Sequence, residues 1–262
     1  MAFHEKNEIR YYTFDTFSNA VTHAVFTRRG GVSPAPWDSL NVGGSVKDDP
    51  ARVAENRIRS FQLMGRDPAS IHDVWLVHGT DIVHADAPRL LEQPSARADI
   101  LFTDNPAVTL FMRFGDCVPI LFHDPKKKVI GMAHAGWLGT VRGVAGVAVQ
   151  AMQERYGCEP EDITAGIGPS IGVDHYEVGA DVIAQFQEKY GKNSDALFEI
   201  RNGSTYLDLW MANQLQLREA GVKRIEVSGV CTACHLDDWF SHRAEKGQTG
   251  RFGALMALQT HS

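Results

Sequence analysis

The feature that most constrains the fold is a series of short apolar runs, each bounded by turn residues and separated by segments with helical spacing. The runs are only a few residues long and rich in β-branched side chains, which favours strands. We predict strands over residues 22–27, 73–77, 107–113, 118–123, 128–134, 163–167 and 224–230.

The intervening segments have the spacing of amphipathic helices. We predict helices over residues 49–63, 141–156, 180–190 and 207–220. Pro50 is a favourable first-turn residue, and Gly221 is typical of a helix stop. Strands and helices alternate irregularly, which predicts an α+β fold with mixed α/β layers. Residues 86–98 resemble a linker or a surface loop, and we expect a single domain over residues 1–262.

Charge and composition exclude several classes of function. The chain carries 26 Lys and Arg against 32 Asp and Glu, a net charge of −6, and lacks a basic run. It is therefore a poor candidate for binding a nucleic-acid backbone. It has neither the roughly 18–20 continuous apolar residues of a membrane span nor the apolar core of a signal peptide, so we expect no membrane association and a cytoplasmic location. Its four cysteines are expected to be thiols or metal ligands.

Three segments place a metal-competent residue at the end of a predicted strand, close to glycine or proline. They are WLVHG with His78, GDCVP with Asp116 and Cys117, and AHAGWLGT with His134. Two imidazoles and a thiolate can form a three-ligand zinc site that leaves a position open for water or substrate. The gaps between them match no local zinc pattern, and a single histidine at a strand end is more often structural. Spacing alone does not establish that the three residues meet.

Other motifs are less specific. TRRGGVS, with Arg28, can form an anion-binding turn or an ordinary hairpin. GIGPSIG lacks the lysine of a phosphate-binding loop. Cys231 and Cys234 form one C-x-x-C pair, and the nearby His235 and His242 make a poor second ligand pair, so we expect no zinc there. The eleven histidines include no H-x-H pair, which argues against a multicopper cluster.

Taken together, these segments resemble the YfiH-like family, also called the polyphenol-oxidase or laccase-domain family. The resemblance extends over about residues 27–253. Its blocks are TRRGGVS, DSLNVG, DDPARVAENR, VHG, GDCVPILFHD, AHAGWLGT, GIGPSIG, YEVG, CTAC, FSHR and TGR.

The resemblance implies a fold in which helices cover β-sheets, and a zinc rather than copper site at His78, Cys117 and His134. It implies phosphorolysis of adenosine, inosine, guanosine or 5′-methylthioadenosine, and in some members deamination of adenosine. Three alternatives stay open. One is a peptidoglycan-editing hydrolase with Cys117 as nucleophile and His134 or His78 as base. The others are a copper-dependent polyphenol oxidase and a non-enzymatic protein in which zinc only pins three loops.

The resemblance also suggests which residues contact a purine nucleoside and phosphate. We expect Arg28 and Arg243 to bind phosphate and Asn41 to contact ribose or base. Asp116 is expected to orient a histidine ligand or to assist proton transfer. Leu138 departs from the family block HAGWRG, in which arginine stands at this position. If that arginine binds phosphate, a neighbour such as Arg142 has to replace it.

Overall fold

A computed structural model describes residues 2–17, 19, 21–90 and 92–259. Within these ranges the strands are Ala2–Lys6 (β1), Ile9–Thr13 (β2), Val21–Phe26 (β3), Ile71–Asp73 (β4), Ile82–His84 (β5), Ile100–Thr103 (β6), Thr109–Phe114 (β7), Val118–Asp124 (β8), Val129–Ala135 (β9), Thr164–Ile167 (β10), Glu177–Val178 (β11), Phe198–Arg201 (β12), Ser204–Leu207 (β13), Arg224–Val227 (β14) and Phe252–Leu258 (β15). The helices are Pro50–Leu63 (α1), Trp137–Val141 (α2), Val144–Tyr156 (α3), Ala180–Tyr190 (α4) and Leu209–Glu219 (α5). None of the helices in the described ranges is both long and apolar enough to cross a bilayer.

The strands form two six-stranded sheets and one small sheet. Sheet 1 has the order β1-β2-β3-β15-β7-β4, sheet 2 has the order β14-β10-β8-β9-β6-β5, and the small sheet has the order β11-β13-β12. Side chains from sheets 1 and 2 share one core cluster, with Met112 on one side and Leu121 on the other. The two large sheets are therefore packed face to face.

Helices cover the outer faces of this pair of sheets. Phe61 of α1 packs with Phe111 of sheet 1, and Ala148 of α3 packs in the same cluster as Phe122 of sheet 2. The central strands β8 and β9 are buried along their whole length. This explains why their sequences are mostly apolar rather than alternating between apolar and polar residues. The predicted α+β fold is confirmed.

The two predicted helix-end signals are confirmed. Pro50 is the first residue of α1, and the Asp49 carboxylate, which we did not single out, caps this helix by accepting a hydrogen bond from the Ala51 N–H. Gly221 follows α5 with φ +93°, a conformation that suits glycine. The helix predicted over 141–156 is divided at Gly143, which also has a positive φ.

Two other predictions were wrong in part, and several strands were not predicted, where contacts distant in the sequence decide the conformation. The strand predicted over 73–77 overlaps β4 only at Asp73. Beyond it, Trp75 forms an isolated bridge with Arg97, and the N–H groups of Val77 and His78 donate to the Asp99 carboxylate. Residue 207, predicted to begin a helix, ends β13. We did not predict β15, which contains Gly253 and two alanines and is poor in strand formers. It is held between β3 and β7.

Candidate metal centre

Cys117 and His134 meet because β8 and β9 pair antiparallel. The register places Val118 opposite Ala135 and Pro119 opposite His134. Cys117 precedes the first residue of β8, and His134 is the penultimate residue of β9. The start of one strand and the end of the next therefore lie at the same sheet edge, despite the length of chain between them.

A buried carboxylate, Asp99, brings the loop of His78 to this edge. It accepts hydrogen bonds from the N–H groups of Val77 (3.1 Å), His78 (3.0 Å) and Gly79 (2.7 Å). The same carboxylate lies 2.8 Å from His134 Nδ1. A carboxylate can only accept, so His134 Nδ1 is the donor and Nε2 is the nitrogen left free to bind a metal. Asp99 thus orients one metal-competent side chain and anchors the loop of another.

The donor atoms of His78, Cys117 and His134 all lie within 4.8 Å of one another. The two imidazole rings are in edge contact, with centroids 4.9 Å apart. Gly136 makes this approach possible, because a Cβ there would lie 3.0 Å from both the Cys117 sulfur and the His78 ring. The arrangement is three metal-competent donors converging on one point.

Charges within the cluster are coupled. Burial raises the pKa of Cys117, but the charge and hydrogen bonds of His134 and His78 lower it more, so its net pKa lies below the ordinary value. Burial lowers the pKa of His134, but the Cys117 thiolate and Asp99 raise it above its ordinary value. The thiol is thus poised to ionise, as a metal ligand must.

A cavity of about 400 Å³ opens onto the cluster. Its wall carries three arginines, Arg57, Arg113 and Arg251. Burial, together with the charge of Arg113, lowers the pKa of Arg57 to about 10. Arg113 is paired with Asp73 at 2.8 Å. In the described part of the chain neither Arg57 nor Arg251 forms an ion pair with a carboxylate. This wall therefore concentrates positive charge beside the cluster.

A smaller cavity of about 240 Å³ adjoins the other side of the cluster. Tyr176 and Arg243 line it, and the guanidinium carbon of Arg243 lies 5.0 Å from the Tyr176 ring centroid. Both cavities include His78 and Cys117 in their walls. The metal-competent cluster therefore lies between an arginine-rich chamber and a smaller one.

Residues 22–259 match the model of the family described as "Multi-copper polyphenol oxidoreductase laccase". The chain belongs to this family. It is 42% identical over 239 residues to "Purine nucleoside phosphorylase" of Deinococcus radiodurans, a match that covers 91% of this chain and 90% of that protein. It is 38% identical over 247 residues to "Purine nucleoside phosphorylase SCO2081" of Streptomyces coelicolor, covering 93% of this chain and 98% of that protein.

Two solved structures of this laccase-like family share the fold over nearly the whole chain. YlmD from Geobacillus stearothermophilus has a TM-score of 0.92 at 34% identity, covering 98% of this chain and 99% of that one. The hypothetical protein YfiH of Bacillus licheniformis has a TM-score of 0.90 at 33% identity, with the same coverage.

Two residues expected to bind substrate are used to hold the chain together. The guanidinium of Arg28 donates to Asp38, Leu236 and Glu245 and stacks on Phe240, outside both cavities.

Asn41 is fully buried, and its side-chain oxygen accepts from Gly43 N–H (3.0 Å) and Arg251 N–H (2.8 Å). It positions the backbone of two cavity residues rather than facing the cavity itself. Of the three residues expected to contact substrate, the structure places Arg243 in a cavity wall.

The residue expected to orient a histidine, Asp116, has other partners. Its carboxylate accepts from the Thr232 hydroxyl and the Arg243 N–H, both at 2.6 Å. The carboxylate beside His134 is instead Asp99. Asp116 thus fastens the segment of Arg243 next to Cys117, and it lies in the wall of the smaller cavity.

Leu138, where the laccase-like family pattern has arginine, packs against the hydrophobic cluster around α3. Arg142 reaches the backbone oxygen of His78 at 3.4 Å but lines a separate surface depression. Neither belongs to the arginine-rich wall.

Sequence reasoning did not identify Asp99, Arg57, Arg113 or Arg251. Arg57 and Arg251 stand in the family blocks DDPARVAENR and TGR, which is a signal that could have singled them out. Asp99 and Arg113 stand in no such block, and only their contacts mark them.

Proposed function

We propose that this protein is a zinc-dependent purine nucleoside phosphorylase, converting a nucleoside and phosphate into the free base and ribose-1-phosphate. The observation that carries the proposal is a single cavity wall that holds both the metal-competent cluster and three arginines. The names of the relatives support the same reaction.

The donor set fits zinc. A thiolate and two imidazoles are borderline-soft ligands of the kind zinc prefers, and Asp99 supplies the carboxylate partner that fixes a histidine ligand. His78, Cys117 and His134 would hold the ion. When bound, zinc would leave a fourth position open and act there as a Lewis acid.

The three arginines suit inorganic phosphate. Guanidinium groups form paired, charge-assisted hydrogen bonds with phosphate oxygens. Burial and, after it, the charge of Arg113 lower the pKa of Arg57, and a bound dianion would favour the charged form of Arg57. Since phosphate is the attacking group in phosphorolysis, holding it in a fixed orientation is a direct contribution to the rate. Leu138 does not weaken this proposal, because its position is outside the arginine-rich wall.

The nucleoside needs an apolar surface for the purine. Trp75 lines the arginine-rich cavity and is 56% exposed, which is unusual for so large an apolar side chain. Its ring offers a stacking face for a purine. On the other side of the cluster, Arg243 and Tyr176 supply a charged group and an aromatic ring for the remainder of the substrate. We also propose adenosine deamination as a further reaction of the same site. The proposed location is the cytoplasm, where Cys117 stays reduced.

A second candidate is a cysteine hydrolase. Cys117, His134 and Asp99 form a thiol–imidazole–carboxylate series of the kind that activates a nucleophile. Zinc stripping separates the two: a phosphorylase loses turnover on chelation and regains it with zinc, whereas a cysteine hydrolase keeps its turnover. Copper oxidation of phenols is less favoured, because the cluster has only two histidines and a multicopper centre needs many more.

The test is a chromatographic assay of purine nucleosides on metal-analysed protein, with and without phosphate. We expect inosine to yield hypoxanthine and ribose-1-phosphate only when phosphate is present. We also expect Arg251→Met to raise the KM for phosphate at least about tenfold, since it removes charge-assisted hydrogen bonds while keeping an aliphatic stem. Arg142→Met is the matched control and should leave this KM unchanged. Hypoxanthine release at an equal rate without phosphate would show hydrolysis instead.

A further inference from the structure

We propose that the protein has a second metal site, a structural zinc site formed by Asp174, His175, Cys231 and Cys234. One ligand atom from each of these four residues lies within 4.8 Å of the other three. The sequence offers only the C-x-x-C half of this set, and folding supplies the adjacent Asp-His pair. The site shares no residue with the cluster of His78, Cys117 and His134, and the proposal does not depend on the proposed function.

The distances suit a tetrahedral ion. Ligands at ordinary zinc–sulfur and zinc–nitrogen distances are about 3.5 Å apart in a tetrahedron. His175 Nδ1 lies 3.7 Å from the sulfur of Cys231 and 3.5 Å from that of Cys234. Both sulfur–nitrogen pairs are therefore already at coordination spacing.

The fourth group, Asp174, lies closer to Cys234 and His175 because it is hydrogen-bonded to them. Its Oδ2 accepts from the Cys234 thiol at 2.8 Å and lies 2.9 Å from His175 Nδ1. In this arrangement hydrogen bonds join the same atoms that a metal ion would join. Metal binding would release the protons of both thiols and leave His175 protonated at Nε2 instead of Nδ1, and Asp174 would retreat by about 0.5 to 0.8 Å to reach ligand spacing.

Two loops that are distant in the sequence form the site. Strands β10 and β14 pair in parallel, and the loops that follow them stay together through a bridge between Ser170 and Cys231. Gly172 N–H donates to the Cys231 sulfur at 3.2 Å. One loop brings Asp174 and His175, and the other brings both cysteines.

Four protein ligands close the coordination shell, which is the mark of a structural site. The ion would pin two loops that reach the smaller cavity. His175 is followed by Tyr176, which lines that cavity, and Thr232, between the two cysteines, binds Asp116 at 2.6 Å. The second site would therefore stabilise part of the wall of the smaller cavity without facing that cavity.

The experiment measures metal content after equilibration with zinc and gel filtration. We expect about two zinc ions per chain in the wild type, about one in Cys231→Ser/Cys234→Ser, and about one in His134→Ala. His235→Ala, an exposed histidine next to Cys234, is the matched control and should keep two. The proposal is overturned if the double cysteine variant binds as much zinc as the wild type.

A second measurement leaves all four residues of the second site unchanged. In Cys117→Ala loaded with cobalt, a thiolate-to-metal charge-transfer band should remain, since the sulfur ligands left are those of Cys231 and Cys234. In the wild type, zinc should protect the exposed Cys234 from alkylation, and chelation should restore its reactivity. Equal alkylation with and without zinc, or absence of the charge-transfer band, would rule the site out.

Discussion

The two clusters of this protein share thiol and imidazole donors but lie in opposite settings. At the first, the His134 side chain is 5% exposed and rests on the fully buried Asp99, and three ligands face a cavity. At the second, the Asp174 and His175 side chains are 43% and 44% exposed, and four ligands face one another. Three ligands beside a cavity leave room for a reacting molecule, whereas four close the shell. Ligand count and surroundings, rather than residue type, separate chemistry from bracing.

The largest expected difference between the clusters is in turnover. His134→Ala should reduce inosine phosphorolysis to the background rate, because it removes a ligand and the partner that ionises Cys117. His175→Ala should keep most of the activity and lower the melting temperature instead. Steady-state assays and thermal melts on both variants measure this contrast. Substantial turnover in folded His134→Ala would break the comparison.

The carboxylate behind the first cluster is the next point of difference. Asp99→Asn should lower zinc affinity at His78, Cys117 and His134 by about 10- to 100-fold, as expected for loss of a ligand's hydrogen-bonded partner. Asp116→Asn is the matched control. The Asp116 carboxylate binds Thr232 and Arg243, so we expect this variant to keep its zinc affinity and to show a raised KM for nucleoside. Competition titration with a metal chelator supplies the affinities. Equal affinities in the two variants would remove the assigned role of Asp99.

A buried histidine outside both clusters sharpens the comparison further. His23 Nε2 accepts a hydrogen bond from Phe14 N–H, and burial lowers the pKa of His23 to about 4. Between its ordinary pKa near 6.5 and 4, the unfolded chain binds more protons than the folded one, so stability falls as the pH decreases through this window. Between about pH 7.5 and about pH 5, the titration of His23 should lower the free energy of unfolding by about 2 kcal/mol.

Urea unfolding of the wild type and His23→Gln at the two pH values isolates that contribution. Glutamine can still accept the Phe14 N–H but does not titrate, so its stability should depend less on pH. Both proteins contain the same clusters, and effects of metal release cancel in the difference. Identical pH dependence in the two proteins would contradict the assignment.

The smallest effect concerns the link between the clusters. Thr232→Val removes the hydroxyl that donates to Asp116 and preserves the shape of the side chain. We expect a rise of a few-fold in the KM for nucleoside, because Asp116 also holds the Arg243 N–H, with zinc content unchanged. Thr249→Val, a comparable change at a buried threonine that binds Glu245 instead, is the control. Equal KM values in both variants would show that the clusters are independent.

Much of the fold could be predicted from sequence because its signals are local. Apolar runs identified β8 and β9, and Pro50 and Gly221 marked helix ends through effects that act within a few residues. Missed elements such as β15 have weak local preferences and are held by neighbouring strands. The family blocks contained the residues of the first cluster, but their meeting depends on the pairing of distant strands.

By itself, the sequence determined the helices with clear caps, the central buried strands, the family and the chemical types of the first cluster's ligands. Only the tertiary structure decided that Asp99 stands behind His134, that three arginines share one wall, that Arg28 is structural, and that Asp174 and His175 meet the C-x-x-C pair. The physical reason is that caps and hydrophobic periods act over a few residues. Ligand sets and ion pairs depend on strand register across the whole chain, which no local pattern records.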